Sequence, residues 1–230
     1  MATLALLRHG QSVWNLANRF TGWVDVDLSE RGEAEARAAG RLLRDAGIIP
    51  DVVHTSLQQR AIRTAELTLA EIGGPDLVPK RSWRLNERHY GALQGLDKAE
   101  TAQRHGDDQV KIWRRSYSTR PPEISDADWA ALRADPVYAD VPDNELPRAE
   151  SLADVVSRML PYWSESIAPD LVAGRVVLVV AHGNSLRALV MHLDGLSEDE
   201  VLELNIPTGI PLVYELDDAL EPVGSRYLDG

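Results

Sequence analysis

The chain has 230 residues, 44% hydrophobic and 26% charged, with 24 Lys and Arg against 36 Asp and Glu, a formal net charge of −12. That apolar fraction supports a sizeable core and excludes a disordered or fibrous chain, while the acidic balance argues against nucleic acid or an anionic membrane as the main partner. The sequence contains no cysteine, which excludes disulfides and thiolate metal sites, and its longest unbroken apolar run is Val176 to Ala181, far too short to span a bilayer. MATLALLRHG lacks the basic lead-in and small-residue cleavage site of a signal peptide, so a soluble, cytoplasmic protein is expected.

Three segments share one pattern, an apolar strand followed by a short polar turn and a helix. The first is Thr3–Leu7, then Arg8-His9-Gly10 and a helix from about Ser12. Ser29 is the cap of a helix running to about Ala46 and stopping at Gly47. The second unit is Asp51–Thr55, followed by Ser56 and a helix through Arg60, Arg63 and Leu67. From about 93 to 148 the periodicity weakens and prolines accumulate, too long a stretch for a simple connection, so it is expected to form a lid or insert. Ser151–Ile167 carries a helical apolar stripe, expected to be core. The third unit is Arg175–Ala181, then His182-Gly183-Asn184 and the helix Ser185–Leu193, and Leu212–Leu216 is a late strand. Continuous β-branched runs mark strands buried on both faces. The expected fold is α/β, three layers with a mainly parallel central sheet.

Standard signatures are missing: there is no GxG, no Gly-Lys pair, no HExxH and no GxSxG. Asp25-Val26-Asp27 resembles a nucleophilic Asp-x-Asp, but it follows Thr21-Gly22-Trp23 rather than a buried strand and runs into a helix cap. The stronger signal is His9 and His182, each just past the C-terminal end of a parallel strand, where ligands of open α/β sheets sit. Arg8 adjoins one of them, Arg60 lies one turn into a helix at an equivalent strand end, and helix N-termini behind them favour anions. A lone Arg-His-Gly is more often structural; the convergence of these groups is not. Of the basic residues only Lys80, Lys98 and Lys111 are Lys, and residues 110–120 hold Lys111, Arg114, Arg115 and Arg120 without an acid. Genomic bias explains high Arg content equally well, yet planar bidentate donors suit a small anion.

Chemically, the group describes a histidine nucleophile for phosphoryl transfer. A neutral imidazole attacks phosphorus without first losing a proton, and Arg8, Arg60, a charged His182 and backbone N–H groups would hold the transition-state oxygens without Mg²⁺. His54 is expected to pack in its strand, and His105 and His192 to lie on helices or the surface.

Beyond these residues, the sequence resembles the cofactor-dependent phosphoglycerate mutases of the histidine phosphatase superfamily over nearly its whole length. The carrying motifs are LLRHGQSVWN at 6–15, NRFTGWVDVDLSERG at 18–32, TSLQQRAIRTAE at 55–66, RLNERHYGALQGLDKAETA at 84–102, IWRR at 112–115, AHGNSLRAL at 181–189 and LELNIPTGIPLVYEL at 202–216. The resemblance implies a single domain over 1–230 with a lid at about 93–148, interconverting 3-phosphoglycerate and 2-phosphoglycerate after priming by 2,3-bisphosphoglycerate, with no metal. It implies that His9 carries the phosphoryl group, Glu87 gives and takes the substrate's proton, and His182, Arg8 and Arg60 stabilise the transition state. Substrate contacts would come from Arg8, Ser12, Asn15, Thr21, Gly22, Arg60, Glu87, Arg88, His89, Tyr90, Lys98, Arg114, Arg115, Gly183 and Asn184. A homo-oligomer, dimer or tetramer, is also implied. Gln11 stands where many members have Glu. Many relatives continue past the equivalent of Tyr227-Leu228 with a tail that helps close the site, whereas this sequence stops at Gly230; if that is the natural terminus, higher phosphatase side activity is expected. The alternatives are a phosphomonoesterase on the same scaffold and a non-catalytic phosphate-sensing protein.

Overall fold

In the computed structural model, which describes residues 1–73 and 76–228, strands and helices alternate from the first residues. β1 (Ala2–Arg8) leads through one helical turn, α1 (Val13–Leu16), to α2 (Glu30–Asp45), and β2 (Val52–Thr55) leads into α3 (Gln59–Ile72). The two-residue β3 (Lys80–Arg81) precedes α4 (Lys98–His105), α5 (Asp107–Arg115) and α6 (Asp126–Ala134). α7 (Leu152–Tyr162) continues through a π-helical turn, Trp163–Ile167, into α8 (Ala168–Val172). β4 (Val177–Ala181), α9 (Gly183–Asp194), α10 (Glu198–Glu203), β5 (Leu212–Leu216) and β6 (Pro222–Tyr227) follow.

The sheet order is β3-β2-β4-β1-β5-β6. The strands from β3 to β1 are parallel, and β5 and β6 are added antiparallel at the β1 side. Alternate residues of the buried strands face opposite layers, as the period of a strand requires. Leu4, Leu6, Val177, Val179 and Tyr214 pack with Leu152, Val155, Met159, Leu186 and Leu189 of α7 and α9. Ala5, Leu7, Leu178, Val180 and Val213 pack with Ala39 and Leu43 of α2 and Ala65 and Ile72 of α3. This is the three-layer, mainly parallel α/β fold expected from the strand pattern.

Three local expectations change. The helix after β1 is a single turn, closed in front by the reciprocal Ser12–Asn15 capping box and behind by Asn18 at φ 54°. The helix beginning at Leu152 runs past Ile167 to Val172, widened where the Pro169 ring would collide with the carbonyl four residues back. β3 and β6 are strands that the apolar pattern does not mark. Asp229 and Gly230, on which the tail expectation rests, lie outside the described residues.

His54 does sit in β2, and its burial is polar as well as apolar. Its ring shares hydrogen bonds with the Tyr162 hydroxyl and with Asp170 Oδ2, both at 2.9 Å. Asp170 also pairs with Lys80 Nζ and Arg175 Nη1, each at 2.7 Å. Burial pushes His54 down to about 4, against the opposing pull of Asp170, and burial with Arg158 pushes His89 down to about 3. Both rings are therefore neutral in the fold but take up protons near pH 6.5 once the chain unfolds. Stability is thus fully present above pH 6.5 and is lost as the pH falls toward 4, with a slope of up to about 1.4 kcal/mol per pH unit for each ring. Urea unfolding midpoints should be level from pH 7 to 8 and fall steadily from pH 6.5 to 4.5; a midpoint unchanged over the lower range would contradict the neutral buried state.

Candidate active site

Strand register brings the two histidines together. Arg8 lies opposite Ala181 in the β1–β4 pair, so His9 and His182 leave the sheet side by side. The His9 N–H donates to the Ala181 carbonyl at 3.0 Å, and the two rings meet edge to face with centroids 4.9 Å apart. Thr55 opposite Val180 sets Ser56 next to them, with its Oγ 2.8 Å from His182 Nε2.

His9 is held in one tautomer. Its Nδ1 lies 2.6 Å from the Gly10 carbonyl, which can only accept, so Nδ1 carries the hydrogen and Nε2 keeps its lone pair. Gly10 fits there because its backbone presses on Gly32 of α2; a Cβ at position 10 would stand 2.2 Å from the Gly32 carbonyl oxygen. Burial first, then Arg60 and Arg8, hold the His9 imidazole well below its usual range, which keeps it a neutral base at physiological pH.

His182 differs from expectation in its charge. Burial, Arg60 and His9 itself hold it far below the ordinary histidine value, so it is neutral rather than charged beside the two arginines. Ser56 Oγ accepts from the Gln58 N–H at 3.2 Å and shares a hydrogen bond with Nε2. Nδ1 is buried without a partner among the described residues. A phosphoryl group brings the negative charge that would favour a second proton on the ring.

Arg60 comes from the first turn of α3 and is almost fully buried, donating to the carbonyls of Gly22 at 2.8 Å and Val24 at 3.1 Å. Burial lowers it only to about 10, so it stays charged. Arg8 donates to the Ile206 carbonyl at 2.8 Å and leaves its Nε unpartnered and buried. Glu87 is fixed through one oxygen: Oε1 accepts from the Arg88 N–H at 2.7 Å, from Asn184 Nδ2 at 2.8 Å and from the Asn184 N–H at 3.2 Å. With Oε1 saturated by N–H donors, Oε2 is the oxygen left to exchange a proton. The flanking Arg84 and Arg88 do not point at this carboxylate. Arg84 pairs with Glu145 at 2.8 Å, and Arg88 donates to the Arg114 carbonyl at 2.8 Å while covering the Tyr90 ring.

These groups border one cavity of about 260 Å³. From the sequence-derived set it is lined by Arg8, His9, Asn15, Thr21, Gly22, Arg60, Glu87, Tyr90, Lys98, Arg114, Arg115, Gly183 and Asn184. His182 and Arg88 stand behind that wall. Ser12 and His89 do not reach it: Ser12 caps α1, and His89 packs against Trp23 and accepts the Gly91 N–H at 3.0 Å. Arg19, Phe20, Arg187 and the 204–206 segment complete the lining and were not singled out from the sequence. Arg187 had a signal, since it lies one helical turn beyond Asn184, and its Nη1 donates to Asn184 Oδ1 at 3.2 Å. Among the described residues, seven cations thus face a single carboxylate, Glu87. Burial lowers Lys98; burial pushes the Tyr90 hydroxyl up, but Arg88 and Asn184 together hold it below its ordinary value.

Asp25 has a structural task, accepting the Gln59 N–H at 2.7 Å at the start of α3. Among the described residues no group of three or more His, Asp or Glu is arranged to hold a metal ion, and no helix is long and apolar enough to cross a membrane.

The chain matches the family model described as "Histidine phosphatase superfamily (branch 1)" over residues 4–145 and 136–219. It is 62% identical to a 2,3-bisphosphoglycerate-dependent phosphoglycerate mutase of Thermobifida fusca, across 100% of this chain and 94% of that protein. A mutase of the same name from Nitratidesulfovibrio vulgaris is 63% identical across 99% of this chain and 91% of its own length. Among solved structures, a mycobacterial glucosyl-3-phosphoglycerate phosphatase complexed with VO3 superposes with a TM-score of 0.74 at 27% identity, covering 99% of this chain and 97% of that one.

Proposed function

The chain belongs to the histidine phosphatase superfamily and, within it, to the 2,3-bisphosphoglycerate-dependent phosphoglycerate mutases, and from that membership and the cavity's geometry we propose that it interconverts 3-phosphoglycerate and 2-phosphoglycerate through a phosphohistidine on His9. The observation that carries this is the pairing of a neutral His9 with its Nε2 lone pair free and a Glu87 whose Oε2 alone is open to a proton, in one cation-lined cavity.

At each transfer the Nε2 lone pair of His9 forms the N–P bond while the P–O bond breaks, its electrons leaving on the substrate oxygen. Glu87 Oε2 gives that oxygen a proton; in the reverse transfer it removes the proton from the attacking hydroxyl. Arg8, Arg60 and Asn15 surround the equatorial oxygens, with His182 Nδ1 behind them. Lys98, Arg114 and Arg115, carried by α4 and α5, hold the carboxylate and any second phosphate. The residues fit 2,3-bisphosphoglycerate, a molecule of two phosphates and a carboxylate: Arg8 Nε, Thr21 Oγ1 and His182 Nδ1 are buried and unpartnered among the described residues, and seven cations line the space. When bound, that cofactor supplies the phosphoryl group that primes His9.

The segment from about 93 to 148 acts as the lid of a single domain, 1–230, limiting water while the phosphohistidine exists. The same membership leads to a cytoplasmic glycolytic and gluconeogenic enzyme that assembles as a homo-oligomer, dimer or tetramer. A phosphomonoesterase is the second reading, since the solved relative described above is a phosphatase. Lys98, Arg114 and Arg115 speak against it, because a simple phosphatase has less need to grip a carboxylate. A phosphate-sensing protein would have no use for Glu87.

Conversion of 3-phosphoglycerate in EDTA, with and without trace 2,3-bisphosphoglycerate, tests the proposal. Isomerisation that needs the bisphosphate, survives EDTA and releases little phosphate is expected. Phosphate release without isomerisation would place the protein with the phosphatases, and a requirement for added Mg²⁺ would contradict the metal-free mechanism.

A further inference from the structure

The turn that carries Glu87 is held from behind by a buried ion pair that never reaches the cavity. Arg158 of α7 and Glu150, just before that helix, are 6% and 3% exposed. Arg158 Nη1 donates to the Arg84 carbonyl at 2.6 Å, and Nη2 donates to the carbonyls of Asn86 at 2.9 Å and Glu87 at 3.1 Å. Nε donates to Glu150 Oε1 at 2.6 Å, and Nη2, shared among three acceptors, also lies 3.1 Å from Glu150 Oε2. Glu150 Oε2 in turn accepts the His89 N–H at 2.8 Å. One guanidinium and one carboxylate therefore bind the backbone on both sides of Glu87, at residues 84, 86, 87 and 89. Trp23 Nε1 adds a further bond to the Glu87 carbonyl at 2.6 Å.

A buried ion pair is a weak source of stability, because desolvation cancels most of the attraction, and an apolar pair of the same size would serve the core as well. What an apolar pair cannot do is fix the carbonyls of Arg84, Asn86 and Glu87, which accept no backbone N–H among the described residues. We propose that Arg158 and Glu150 are positioning residues for the proton shuttle, holding the 84–89 turn so that Glu87 Oε2 stands where the substrate oxygen is protonated. The inference rests on Glu87 being that shuttle.

The test separates proton delivery from the rest of the site by changing the leaving group. In attack by His9 on 2,4-dinitrophenyl phosphate, the P–O electrons leave on a stabilised phenolate that needs no proton; in attack on a phosphoglycerate they leave on an alkoxide that does. Full-length Arg158→Lys, Glu150→Gln and a Glu87→Gln control are compared for mutase kcat and KM and for the single-turnover burst of dinitrophenolate. Misplacing the shuttle by a fraction of an ångström should lower kcat about 10- to 100-fold in Arg158→Lys and Glu150→Gln. KM and the burst should stay within about twofold of the parent, because neither needs the proton. Parallel loss of both reactions, no loss in either, or failure of both variants to fold by circular dichroism would make the pair a folding element and overturn the proposal. If Glu87→Gln itself fails to separate the two substrates, the assignment of Glu87 is wrong, and the inference falls with it for that distinct reason.

Discussion

His9→Ala should abolish the incorporation of radiolabelled phosphate from 2,3-bisphosphoglycerate and lower turnover by about four to six orders of magnitude, the scale on which a covalent nucleophile's loss is felt. The reason is positional. Arg8, Arg60 and Lys98 bind anions but cannot accept a phosphoryl group, and of the two adjacent imidazoles only His9 has its lone-pair nitrogen left unbonded. His182 Nε2 is engaged by Ser56 at 2.8 Å, so it is a poor substitute even though its ring lies next to that of His9. The fold should survive. The substitution removes a ring whose one hydrogen bond is to the neighbouring Gly10 carbonyl, at a cost of about 1–3 kcal/mol for the unpaired group. Circular dichroism with a quench-and-label experiment on the same preparation checks both halves. Labelling that persists would move the nucleophile elsewhere, and unchanged ligand binding with unchanged biological role would favour a sensing protein.

Sequence reasoning reached the fold where burial is two-sided. β1, β2 and β4 announce themselves by their apolar residues, unbroken in β4, and the residues just past them are the site, because strand register then brings Arg8, Ser56 and His182 to one edge. β3 and β6 stayed hidden for opposite reasons. β3 is only two residues long, and β6 is an exposed edge strand whose Gly224, Ser225 and Arg226 have no apolar alternation. Some cations inside the motif blocks are harder to pick out as site residues. Arg187 and Arg19 look like surface charges in a sequence with many arginines, and only the packing of α9 and the segment after α1 turns them inward. Glu150 and Arg158 are the extreme case: an acid and a base eight positions apart resemble a solvated helix face, and nothing local shows that both are buried. Ser12 and His89 show the opposite placement. Each sits inside a motif block, yet its side chain serves the backbone, one as a cap and the other as an acceptor for Gly91.

Glu87→Gln should divide the reaction into two parts. The glutamine amide oxygen can replace Oε1 and keep all three N–H bonds from Arg88 and Asn184, so the turn should be undisturbed, with the NH₂ where Oε2 was. An amide cannot exchange a proton, and mutase turnover should fall by about 10²- to 10⁴-fold, the usual contribution of a positioned acid–base group. The His9 lone pair and the Arg8–Arg60 cage are untouched, so the dinitrophenolate burst should remain within about twofold of the parent. The pH profile adds a second reading. With His9 held well below its usual range by burial and two arginines, the nucleophile stays neutral at pH 6 and gives the burst no acid limb near 6.5. If the burst also collapses in Glu87→Gln, the carboxylate is needed to bind or shape the phosphoryl pocket rather than to move a proton. If mutase turnover is unaffected, the proton travels by another group, and Tyr90, the other ionisable hydroxyl on the cavity wall, becomes the residue to replace next.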